Sequence, residues 1–249
     1  MRSERIGLLV LFLLALPWTA GAQVPGRLSV SGAAPAVWGV LEKPALPGPH
    51  PGVILLHGAA GWGSVYAEYA KALADSGFVV LALDYYAETG SAPIGSEEKL
   101  EKWPLWQAAV RAAVSYLSTL PEVSEKNIGL VGFSRGAFLA VSTAASLSEV
   151  GAVVDFFGGG GGGSDPLERE ARNFPPLLIL HGEADRIVPV KFAVSLRKAV
   201  IAQGGEVEMH LYPGVRHGFT APKSPTYSEE AAADSFRRTV TFLKQRLIR

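Results

Sequence analysis

A chain of 249 residues with 23 basic and 23 acidic side chains lacks the basic excess of a nucleic-acid surface. It contains no cysteine, which excludes disulfides and a lipid-anchored cysteine behind a leader. Beyond the N-terminus no apolar stretch reaches about 18 residues, so no stable membrane insertion of the mature chain is expected. The chain opens with Arg2 and Arg5, an apolar run from Ile6 to Leu16, and Ala20-Gly21-Ala22. That is the pattern of a signal peptide cut after small residues, and Pro17 breaks the run before it could span a membrane comfortably. Cleavage after Ala22 would leave residues 23–249 as one exported domain, periplasmic or secreted.

Arg27 to Ser31 and Val37 to Leu41 read as short leading strands, followed by a turn-rich stretch with Pro44, Pro47, Pro49 and Pro51. Val53 to His57 is a continuous aliphatic run, as expected of a strand covered on both faces. Val65, Tyr66, Tyr69, Ala70 and Leu73 recur at helical spacing up to Ser76. Phe78 to Leu83 is the next buried strand, and residues 85–102 show no clear period. Pro104 is expected to open a helix to about Leu120. Ile128 to Val131 is a strand and Ala137 to Leu147 a helix. Strands at Ala152–Phe157 and Leu177–His181, a helix over Val190–Gln203 and an alternating strand at Glu206–Tyr212 follow. Thr226 and Glu229 form a capping-box pattern for a last helix to about Leu247. Alternating β and α elements predict an α/β fold with a mostly parallel, doubly wound sheet and helices on both faces.

Gly132-Phe133-Ser134-Arg135-Gly136 lies between a strand and a helix. Gly-x-Ser-x-Gly in that setting is a nucleophile elbow, a strained turn that lifts the serine hydroxyl above the sheet. Asp185 follows the next strand but one, and His217 follows the last. Serine, acid, histidine is the chain order of α/β-hydrolases. Ser134 is a weak nucleophile until His217 takes its proton, and Asp185 would fix the imidazole tautomer. Asp155 and Glu183 are rival acids; the first lies inside an apolar strand, the second too near a strand end. The remaining histidines, His50, His57, His181 and His210, are read as structural.

An oxyanion hole needs backbone N–H donors. Arg135, directly after the serine, and Ala59, in the loop from His57 to Trp62, are the expected pair. Trp62, Tyr85, Tyr86, Trp103 and Trp106 are candidate walls of an apolar substrate pocket. Gly158 to Gly163 fits Gly-x-Gly-x-x-Gly only because an unbroken glycine run matches trivially, and no helix opens after it, so a flexible loop is expected there. A peptidase or acyltransferase on the same three residues, or a silent binding protein of this fold, are the alternatives to an esterase.

Val53 to Gly58, Leu83-Asp84-Tyr85-Tyr86, Gly132 to Gly136, Val153 to Gly158, His181 to Asp185 and Tyr212 to Phe219 together resemble the dienelactone hydrolase family of α/β-hydrolases. The resemblance implies a single-domain enzyme that cleaves small-molecule esters or lactones through an acyl-enzyme, without metal or organic cofactor. Three positions depart from it. Ser134 stands where the best-known members carry a cysteine, so it depends on His217 at each turnover. Gly58 stands where they have a glutamate, and Glu88 and Ala221 fall where arginines would hold a substrate carboxylate. The substitutions favour a neutral or differently charged ester over dienelactone itself.

Overall fold

The computed structural model describes residues 27–30, 36–92, 94, 96–124, 127–160 and 174–248. The expected signal peptide, residues 1–22, lies outside the described residues, as do Gly161 to Gly163 of the glycine run. Eight strands form one sheet in the order β1-β2-β4-β3-β5-β6-β7-β8. They are β1 (Arg27–Val30), β2 (Val37–Glu42), β3 (Gly52–Leu56), β4 (Val79–Leu83), β5 (Ile128–Phe133), β6 (Val150–Phe156), β7 (Leu177–Gly182) and β8 (Val207–Tyr212). β1, β2 and β4 pair antiparallel, and every other pairing is parallel. The aliphatic runs of β3, β4, β5 and β7 are buried along their whole length, which is why they show no alternation. β8 closes the edge and keeps partial exposure, so there the alternation survives.

Helices α1 (Ser64–Asp75) and α5 (Glu229–Leu247) cover one face, and α2 (Glu97–Ser118), α3 (Arg135–Ala144) and α4 (Lys191–Ala202) the other. Ile54, Leu56, Leu81 and Leu130 join the core under α2 to α4, while Val53, Leu55, Val80 and Val131 join the one under α1 and α5. From β3 the chain moves one way to β4 and then back across β3 to β5. That reversal opens a crevice between the carboxyl ends of β3 and β5. Among the described residues, no helix is long and apolar enough to cross a membrane.

Two helix starts differ from expectation. α2 begins at Glu97 rather than Pro104, because the Ser96 hydroxyl caps it by accepting from the Lys99 amide at 3.1 Å. Glu97 and Glu98 then sit against the positive end of the helix dipole. Pro104 is inside the helix and lacks an N–H for the Leu100 carbonyl, on a turn where Leu100, Pro104 and Leu105 face solvent. The last helix is capped by Ser228, whose hydroxyl accepts from the Ala231 amide, and not by Thr226. Thr226 is engaged locally, its amide and hydroxyl both meeting the Ser224 hydroxyl.

Candidate active site

Ser134 adopts φ 52° and ψ −116° at the turn from β5 into α3. Such a conformation is costly for a residue with a side chain. Two glycines allow it to close: a Cβ on Gly132 would collide with the Gly136 and Ala137 backbone, and one on Gly136 with the Leu56 and His57 carbonyls. The turn is laced to its neighbours, since the Ser134 amide donates to the Phe156 carbonyl at 2.9 Å. One strand further, the Phe157 amide donates to the Leu180 carbonyl at 2.9 Å, and the Glu183 amide to the Tyr212 carbonyl at 3.0 Å.

The structure brings Ser134, His217 and Asp185 together from three loops. Ser134 Oγ lies 3.0 Å from His217 Nε2, and His217 Nδ1 lies 2.7 Å from Asp185 Oδ2. The other carboxylate oxygen, Oδ1, accepts from the Ile187 and Val188 amides at 2.9 and 2.8 Å. Burial alone would raise the Asp185 carboxyl; the hydrogen bonds from His217 and the two amides outweigh it and hold the group below its ordinary value. A carboxylate next to Nδ1 favours the tautomer with the proton on Nδ1, leaving Nε2 to accept from the serine. His181 supports the acid loop, its Nε2 meeting the Val188 carbonyl at 2.9 Å. Phe157 packs edge-on against His217, with ring centroids 4.9 Å apart, and does so from a positive φ of 42°. The aliphatic and aromatic run ending at Phe157 predicts a strand residue, whereas the strand stops at Phe156.

Glu183 is exposed, and Asp155 is fully buried; neither has a hydrogen bond to His217 among the described residues. Asp155 Oδ1 accepts from the Gly158 amide at 2.7 Å, and Oδ2 has no hydrogen-bond partner among the described residues. Burial pushes this carboxyl up to about 7, against the opposing pull of the Gly158 amide. The native state therefore binds more protons than the unfolded chain between about pH 4 and 7, and stability falls across that window as pH rises. Asp155→Asn should remove this slope. Thermal melts should show the variant gaining stability over wild type at pH 8, by up to about 4 kcal/mol, and gaining little at pH 4. A slope that persists in the variant would place the proton uptake elsewhere.

Above Ser134 the β3–α1 loop presents the amides from Gly58 onward. The Gly58 amide is occupied, donating to the Tyr66 hydroxyl at 2.8 Å. The Ala59 and Arg135 amides have no acceptor among the described residues, which leaves them able to serve an oxyanion. Two of the aromatic residues expected in the pocket, Tyr85 and Tyr86, pack on this loop instead. Tyr85 stacks on His57 at 4.0 Å and donates to the His57 carbonyl at 2.8 Å. The Tyr86 hydroxyl accepts from Arg135 Nη1 at 2.7 Å and lies 3.5 Å from the Ala59 carbonyl. Both phenols have buried polar partners inside the protein, which turns them away from the cavity. Trp62 is half-buried against the core under α1, and Trp103 packs on the buried Trp106.

None of these five residues lines the cavity beside Ser134; the walls are Val65, Tyr66, Tyr69, Phe133 and Phe157, with Ile94 and Ile187 at the opening. The spacing of Tyr66 and Tyr69 on α1 showed an inward face without showing that it ends at a site. Among the described residues, no group of three His, Asp or Glu side chains converges as metal ligands.

The family model for dienelactone hydrolases matches residues 37–247. A Synechocystis protein to which carboxymethylenebutenolidase activity is provisionally ascribed is 27% identical over 221 residues, covering 80% of this chain and 88% of its own. Among solved structures, a Klebsiella pneumoniae protein provisionally described as a dienelactone hydrolase superposes with a TM-score of 0.78 at 22% identity, covering 88% of this chain and 98% of its own. A thermophilic esterase from Thermogutta terrifontis superposes with a TM-score of 0.69 at 19% identity, over 89% of this chain and 94% of its own. At those identities the two structures speak to the fold, which is that of the α/β-hydrolases.

Proposed function

The chain belongs to the dienelactone hydrolase family, and we propose that it is a serine hydrolase that cleaves carboxylic esters or lactones through an acyl-enzyme. The relatives' names support ester or lactone hydrolysis. The observation that carries the mechanism is the continuous path from Ser134 Oγ to His217 Nε2 and from His217 Nδ1 to Asp185, at 3.0 and 2.7 Å. Ser134 Oγ attacks the carbonyl carbon while its proton passes to His217 Nε2. The carbonyl π-bond pair moves to oxygen, where the Ala59 and Arg135 amides receive the negative charge. Collapse expels the alcohol, which takes the proton from Nε2 and leaves an acyl-serine. Water then repeats the sequence, giving up a proton to Nε2 and releasing the acid. In a lactone the expelled hydroxyl remains covalently part of the acyl group, so the second step releases a single hydroxy acid.

A fluorophosphonate probe should label the wild-type protein at Ser134 and fail to label Ser134→Ala. Labelling that survives the substitution would end the assignment of the nucleophile. Export is part of the same proposal. It rests on Arg2 and Arg5, the apolar run Ile6 to Leu16 and the small residues Ala20 to Ala22.

A further inference from the structure

The cavity beside Ser134 has a volume of about 300 Å³. Among the described residues, no lysine, arginine, aspartate or glutamate lines it. Of its titratable side chains, His217 is engaged with Asp185 and Ser134 and the Tyr66 hydroxyl with the Gly58 amide, while the buried Tyr69 hydroxyl, a neutral group, has no hydrogen-bond partner among the described residues. Arg135 follows Ser134 in sequence, yet its guanidinium is buried and directed elsewhere. Nη1 donates to the Tyr86 hydroxyl and the Ala92 carbonyl, both at 2.7 Å, and the group lies 5.5 Å from the Trp106 ring centroid. Ala221 lines the cavity, whereas Glu88 does not. At the opening, Ile94 and Ile187 are 73% and 66% exposed, so the lining remains apolar out to the surface.

Resting on the serine-hydrolase reading above, we propose that this site takes uncharged esters with an apolar acyl group and selects against acyl groups that carry a carboxylate. An entering carboxylate gives up hydration to walls that, among the described residues, offer no cation. The two amides left without an acceptor serve the carbonyl oxygen and cannot serve a second anion as well. An apolar acyl chain meets the opposite balance, gaining roughly fourfold in binding for each methylene it buries.

The test compares 4-nitrophenyl butyrate with mono-4-nitrophenyl succinate, which share a leaving group and acyl length and differ in one charge. We expect kcat/KM on the butyrate to exceed that on the succinate by about tenfold or more, as for an anion left without its partner. Ala221→Arg should narrow the gap by about threefold or more by raising the succinate value, and Ala221→Lys should act in the same sense. Equal rates in wild type, or a gap that both variants leave unchanged, would overturn the proposal. Fluorophosphonate labelling is read in the same samples. Labelled protein with equal rates overturns the substrate assignment alone, whereas unlabelled and inactive wild type overturns the hydrolase reading with it.

Discussion

Asp185→Asn is expected to lower kcat on a short-chain aryl ester by about 10⁴-fold with the fold intact, the size of the tautomer effect in serine proteases. The hydrogen bonds explain why so small a change would cost so much. Asp185 Oδ1 accepts from two backbone amides, so an asparagine will keep its carbonyl oxygen there. Its NH₂ group then faces His217 Nδ1 and can only donate. The imidazole must answer by placing its proton on Nε2, where it can no longer accept from Ser134. Steady-state kinetics with a thermal melt on the same sample separates this from unfolding. Near-normal turnover would reassign the acid, with Asp155 and Glu183 the next to test.

Gly136→Ala should cost about 3 kcal/mol of stability, at the upper end of overpacking effects. For a domain of this size that is a fall in Tm of roughly 6–12 °C. The new methyl group would meet the carbonyls of Leu56 and His57. These are backbone atoms at the end of β3, so relief requires moving α3 or the strand that leads into the β3–α1 loop above Ser134. Activity should fall with stability for the same reason. Gly63 is the control, because a Cβ there meets nothing within 4 Å and its φ of −163° suits any residue. Gly63→Ala should stay within about 1 kcal/mol of wild type. Comparable losses at the two positions would show that close approach is not what requires Gly136.

The middle of the sheet was legible because β3, β4, β5 and β7 are buried on both faces, and such strands announce themselves as unbroken aliphatic runs. Val53 to Leu56 and Leu177 to Leu180 are plain examples. The convergence of Ser134, Asp185 and His217 was legible for a related reason. Each follows a strand, and a parallel sheet brings the ends of its strands to one rim. The pocket was not legible. Whether an aromatic ring faces a cavity or the core depends on contacts distant in sequence, and Tyr85 and Tyr86 turned toward His57, Ala59 and Arg135. The start of α2 was misplaced because Pro104 is a conspicuous first-turn residue, while Ser96 followed by two glutamates is a quieter signal and the correct one. Phe157 reads in sequence as the end of a strand, since nothing in a sequence marks a phenylalanine held at positive φ.

The amides of Ser134, Phe157 and Glu183 each donate to a neighbouring strand or its end, so the turns that hold Ser134, Phe157 and Asp185 continue the sheet's own ladder. A site attached in that way has little freedom to loosen by itself. Heat should therefore not produce a folded but inactive form, and loss of activity on warming should coincide with cooperative melting of the domain.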